Sequence, residues 1–133
     1  MKFNRAVIKV GSALISPDAN GCSGKYVAAI AHFINQCQQA GKEIILVSSG
    51  SVAAGRNLIK HGSPVPSIPT KQAMAAVGQM QMMANWQAHL ENTCSQLLIT
   101  HADLKNRQRY INIKNTLRVL LENNVLPIVN END

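Results

Sequence analysis

The sequence predicts an α/β fold, a parallel sheet with flanking helices. Three observations carry that expectation. Short apolar runs such as residues 44–47, Ile-Ile-Leu-Val, stop abruptly at small, turn-forming residues. A helical pattern of apolar residues follows each of the first three runs. The segments between runs are long enough for right-handed crossovers.

Taken in order, residues 5–10 form the first strand, which ends in Lys9-Val10-Gly11-Ser12. A lysine inside an apolar strand either snorkels to water or meets an anion. Its neighbours Gly11 and Ser12 favour the anion, since they offer exposed backbone N–H groups. Residues 18–24 are turn-rich, with Asn20-Gly21 the strongest signal. Ser23 is positioned to cap a helix whose apolar stripe is Tyr26, Val27, Ile30, Phe33, Ile34 and Cys37, closed by Gly41 as its left-handed terminator.

The strand at residues 44–47 runs into Ser48-Ser49-Gly50, which reads as an anion-binding turn: two hydroxyls, and one residue without a Cβ. In an α/β sheet ligands sit at the carboxyl ends of strands. The plainer alternative is an ordinary turn with Ser49 or Ser51 as N-cap. Gly50 and Gly55 have P-loop spacing, but Arg56 and Asn57 stand where Lys and Ser or Thr are needed, so that motif is excluded.

A helix over residues 51–60 is followed by a loop stiffened by Pro64, Pro66 and Pro69. Thr70 starts a long helix to about residue 92, with Met74, Val77, Met80, Met82, Met83, Trp86 and Leu90 as a band suited to core or interface. Residues 96–100 form a third strand, and His101 to Leu104 a loop. The next helix sets Tyr110, Ile113, Leu117, Leu120 and Leu121 against a basic face of Lys105, Arg107, Arg109, Lys114 and Arg118. Residues 125–129 form the fourth strand. Its Pro127 suggests an edge strand or a strand start.

Composition narrows the function. The chain has 133 residues, 46% hydrophobic, with a formal charge of +6. That size suits one domain. The charge favours anionic ligands, but aromatics at 4% and scattered basic residues argue against nucleic acid. Cys22, Cys37 and Cys94 are an odd set without C-x-x-C spacing, which suggests thiols in a reducing, cytoplasmic compartment. No apolar run approaches the ~20 residues of a membrane span. The four histidines lack metal-ligand spacing, so no protein-ligated metal is expected.

Four ordered segments carry a resemblance: Val-Ile-Lys-Val-Gly-Ser at residues 7–12, Val-Ser-Ser-Gly-Ser-Val-Ala-Ala-Gly-Arg at 47–56, Lys-Gln-Ala-Met-Ala-Ala-Val-Gly-Gln at 71–79, and Asn-Glu-Asn-Asp at 130–133. Asp103-Leu104, Arg109-Tyr110, Asn112 and Asn115-Thr116-Leu117 add to it. Together they resemble the amino acid kinase family, and within it the members that phosphorylate glutamate. The resemblance spans essentially the whole chain. It implies transfer of the γ-phosphoryl group of ATP, with Mg²⁺, to the side-chain carboxylate of L-glutamate, the first step of proline synthesis. It further implies that Lys9, with Gly11 and Ser12, contacts the ATP phosphates, and that Lys9 is catalytic. Ser49, Gly50, Asn130 and Asp133 would bind glutamate, Asp133 through the ammonium group.

By the same resemblance, residues 1–133 match the amino-terminal, glutamate-binding part of the kinase domain. The ATP-binding half and the PUA domain common in such enzymes are not matched. The chain alone is therefore expected to be inactive and to self-associate through an exposed strand edge and apolar helix faces. Proline is a candidate feedback inhibitor. Two other readings stand beside this one. The chain could belong to another relative, acting on acetylglutamate, aspartate, carbamate or a nucleoside monophosphate, or be a non-catalytic glutamate- or proline-binding or assembly module.

Overall fold

The computed structural model describes residues 2–131, the last of them by backbone alone. Its elements are β1 (Arg5–Val10), α1 (Ser12–Ile15), α2 (Val27–Gln39), β2 (Glu43–Ser48), α3 (Ser51–Gly55), α4 (Ile68–His89), β3 (Cys94–Ile99), α5 (His101–Lys105), α6 (Arg107–Glu122) and β4 (Leu126–Glu131). The described strands form one parallel sheet in the order β1-β2-β4-β3. Steps from β1 to β2 and from β2 to β3 run one way across it, and the step from β3 to β4 runs back. Right-handed crossovers therefore put α2 and α4 on one face and α6 on the other.

The α2/α4 face is the core. Ile44 and Leu46 of β2 and Leu126 and Ile128 of β4 bury there against Val27, Ala31, Ile34 and Cys37 of α2 and Met82 and Trp86 of α4. The stripe on α2 thus differs from the expected one: Tyr26 and Phe33 lie exposed, and the i, i+4, i+7 spacing from Val27 selects Ala31 and Ile34. Ser23 does not cap α2; its hydroxyl accepts from Lys25 N in a local turn. Gly41, at φ +78°, does end the helix. There Gly41 N donates to Gln38 O and Lys42 N to Cys37 O, the pair of hydrogen bonds of a Schellman motif.

Several boundaries move for identifiable reasons. Helix α3 covers five residues rather than ten, and it meets α4 backbone to backbone. A Cβ on Gly55 would sit 1.9 Å from Met74 O, and one on Gly78 1.7 Å from Ser51 O. Helix α4 begins before Thr70. Ser67 is its N-cap and Pro69 lies in its first turn, where the missing N–H would have no helical partner. It ends at His89, and Asn35 takes over from there: its Nδ2 donates to His89 O and its Oδ1 accepts from Glu91 N, both at 3.0 Å. Met80 points outward and is 74% exposed, while Met74, Met82 and Trp86 are fully buried.

Strand β3 starts earlier than expected, at Cys94, and Thr100 leaves it to cap α5. Pro127 lies in an interior strand, flanked by β2 and β3, not on an edge. Leu126 N donates to Thr93 O on the β3 side. The next nitrogen, the proline's, therefore faces β2, where pairing begins only at Ile128 opposite Leu46. The missing N–H falls just before that ladder.

Candidate functional site

A parallel sheet places the carboxyl ends of its strands on one edge, and two of the connecting loops there lock together. Lys9 pairs with Val47 and Val10 with Ser48. Ser49 N donates to Val10 O at 3.1 Å. Gly50 is left-handed at φ +110°, and a Cβ on it would lie 3.0 Å from Ser12 Cα. The glycine is needed twice, for its backbone angle and for the approach of the first loop. Gly11, Ser12, Ser49 and Gly50 are thus one contiguous surface.

Ser48 does not belong to that surface. It is fully buried, accepts from Trp86 Nε1 at 3.3 Å and donates to Met82 Sδ at 3.4 Å. Alternation along β2 turns it into the core, so the turn offers one hydroxyl, not two. The N-cap of α3 is Gly50, with no side-chain cap, so neither Ser49 nor Ser51 fills that role.

Lys9 points to the α6 face, in the row of Val47, Val129 and Leu97. It lines a cavity of about 240 Å³ with Val47, Ile99, Thr100, His101, Leu104, Val129 and Asn130. Asn130 also borders a groove of about 400 Å³ on the opposite face, between α4 and β3, with Ser51, Gln79, Met80, Gln96 and Leu98 among its walls. Gly11, Ser12, Ser49 and Gly50 line neither cavity; they lie on the rim between strand ends. Asp133 lies outside the described residues.

Two features of this edge were not foreseen from the pattern of the sequence. Asn130 is 7% exposed, and its Nδ2 donates to Gln79 Oε1 at 2.7 Å. Gln79 Nε2 in turn donates to Gln96 Oε1 at 3.0 Å. No local signal marks a long-range amide chain. Thr100 and Asp103 form a capping box, so the segment from His101 to Leu104, expected as a loop, is the short helix α5. Thr100 N and Oγ1 both donate to Asp103 Oδ2. These bonds, backbone first, hold the Asp103 carboxyl below the ordinary carboxylate range, and Arg109 adds to the effect.

Burial raises the Cys22 and Cys94 thiols, both unoxidised. Among the described residues no helix is long and apolar enough to cross a membrane. No three His, Cys, Asp or Glu side chains among them gather as a metal site.

A parallel four-stranded sheet whose first two strand-end loops meet above a lysine and an asparagine agrees with the family comparison: residues 4–133 match the amino acid kinase family. The chain belongs to that family. More particularly, it is 53% identical over 131 residues to the glutamate 5-kinase of Idiomarina loihiensis, covering 98% of this chain and 35% of that one. It is 50% identical over 133 residues to the glutamate 5-kinase of Salinibacter ruber, covering 98% and 35%. It is also 50% identical over 133 residues to glutamate 5-kinase 1 of Pseudoalteromonas translucida, covering 100% and 36%. The chain spans about a third of the length of these relatives.

Proposed function

We propose that residues 1–133 are the glutamate-binding part of an ATP-dependent kinase that phosphorylates the γ-carboxylate of L-glutamate to L-glutamyl 5-phosphate, at the start of proline synthesis. One observation supports the reading above others: the Gly11-Ser12 and Ser49-Gly50 loops meet through Gly50 on Ser12, on the edge where Lys9 and Asn130 share a cavity. Phosphoryl transfer spreads charge over the equatorial oxygens and asks the protein for positioning and for cationic or N–H stabilisation. Lys9 supplies the cation, and the backbone at Gly11 and Ser12 supplies donors to the ATP phosphates. Ser49, beside the open backbone of Gly50, donates to a substrate carboxylate. Asn130 and Asp133 take the ammonium group. The magnesium ion would arrive with ATP and neutralise charge on its phosphates.

Other members of the family act on other small acids. What favours glutamate is the identity to three glutamate 5-kinases across the whole of this segment. The reading as a non-catalytic module rests on the basic face of α6 alone. The strands β1 and β3, at the edges of the described sheet, support self-association into a homo-oligomer. Proline, which shares the carboxylate and amino group of glutamate, is proposed as a competing ligand.

The test is titration of L-glutamate into the ¹⁵N-labelled chain. Backbone signals of Gly11, Ser12, Ser49 and Gly50 shift together, and Ser49→Ala weakens binding about tenfold, the loss of a charge-assisted hydrogen bond. A folded chain whose signals stay in place at saturating glutamate sinks the proposal. The 133-residue chain by itself releases no ADP in a coupled assay, and glutamate-dependent release would overturn that part.

A further inference from the structure

Among the described residues, Asn130 borders both cavities of the sheet edge, and its side chain does not stand alone. Its amide nitrogen is committed to Gln79 Oε1, and Gln79 is held in turn by Gln96 on β3. A carboxamide has a donor end and an acceptor end, and fixing one fixes what the other offers. With one Nδ2 hydrogen bound to Gln79 on helix α4, the amide is held in one orientation, and that fixes where its carbonyl oxygen lies. That atom accepts from an ammonium group and repels a carboxylate.

We propose that Gln79 is a positioning residue: its amide holds the Asn130 amide so that an acceptor, not a donor, faces the amino group of the ligand. The inference rests on the proposed glutamate site and deepens it, because it assigns the choice between amino acids and plain dicarboxylates to a residue on α4. Gln79 itself touches no substrate. Its effect therefore shows as selectivity rather than as general loss. A damaged fold weakens all dicarboxylates alike, whereas a released Asn130 weakens only ligands that carry the ammonium.

The experiment compares L-glutamate with glutarate, which has both carboxylates and no amino group, by calorimetric titration of the chain and its variants. Gln79→Met removes both hydrogen bonds at nearly constant volume. It is expected to lower the glutamate-to-glutarate affinity ratio about fivefold, the size of one net hydrogen bond. Gln79→Glu keeps the acceptor that Asn130 needs and is expected to restore the ratio to within about twofold. Should Gln79→Met fail to fold, as read from the buried Trp86 signal, Gln96→Leu loosens the same chain from its far end and lowers the ratio about twofold.

A ratio unchanged in a folded Gln79→Met chain overturns the positioning role, as would an amide chain of reversed polarity. A wild-type chain that binds neither acid overturns the glutamate site beneath it, and that outcome is visible before any variant is made.

Discussion

The two faces of the sheet are built on opposite terms. On one, α2 and α4 bury a continuous dry core, and α3 meets α4 so closely that Gly55 and Gly78 have no room for a Cβ. On the other, α6 runs sixteen residues without burying one of them completely. Its sheet-facing residues Ile113, Leu117, Leu120 and Leu121 are largely covered but none is fully buried. Val7 in the strand β1 is 62% exposed. Both helices α2 and α6 are amphipathic, so the contrast comes from what each meets. The lesson is that the face carrying the rigid core also fixes the ligand edge: Gly50 starts α3, Gln79 lies on α4, and Ser48 ties β2 to Trp86. The Lys9 face holds its cation on the looser side.

The largest effect is expected where the rigid face tolerates no added atom. Gly78→Ala drives a methyl group into the Ser51 carbonyl, a backbone atom that cannot swing away. Chemical denaturation should show a loss of about 3 kcal/mol or more. Helix α3 would shift with it, and glutamate binding at Ser49 and Gly50 would fall. A loss below about 1 kcal/mol would mean that the two helices are not in backbone contact. Next comes core truncation. Ile34→Ala on α2 should cost about 2–5 kcal/mol, while Ile113→Ala on α6 should cost less than half as much, because Ile113 leaves less surface in the dry interior. Equal costs would erase the contrast between faces.

How far the sequence reveals this depends on whether the determining contact is local. The α/β class, the four strands and Gly41 as a terminator follow from patterns within a few residues of each feature. The failures lie where distant segments decide. Helix α3 packs backbone to backbone on α4 through a glycine pair twenty-three positions apart, Gly55 and Gly78. Ser48 looks like its neighbour Ser49 in sequence, but the pleat sends it to Trp86. Of the two readings of Pro127 the strand start holds and the edge does not, since the ladder with β2 begins one residue later in an interior strand. Short elements were invisible for another reason: α1, at four residues, has no periodicity to detect. The role of Gln79 needs Asn130, fifty-one positions away, to be seen at all.

A smaller effect separates the faces by pH. The Asp103 carboxyl lies below its ordinary value near 3.8, chiefly through the Thr100 backbone N–H, then the Thr100 hydroxyl and Arg109. A carboxyl held low in the folded state contributes stability above its unfolded value and loses it as pH falls through the folded one. Acid below about pH 4 should therefore loosen α5 and the start of α6, while amides of α2 and α4 stay protected from hydrogen exchange. Asp103→Asn should flatten that acid response. Simultaneous opening of all four helices would show that the two faces unfold as one unit.

The smallest effect tests whether the outer surface of α6 is as bare in solution as the single chain presents it. Val119 is 53% exposed and sits on the helix away from Leu117, Leu120 and Leu121. Val119→Ser removes no core contact, so its cost should stay within about 0.5 kcal/mol at low protein concentration. Self-association through the edges of β1 and β3 alone leaves this helix surface open, and the cost should then not change as concentration rises. A penalty that grows with concentration would place a second copy over α6 instead, since an oligomer adds stability by mass action only at surfaces it covers. Sedimentation of the wild-type and Val119→Ser chains over the same range would then separate as well. The comparison between faces would have to be redrawn, with α6 as an interface rather than a loosely held cover.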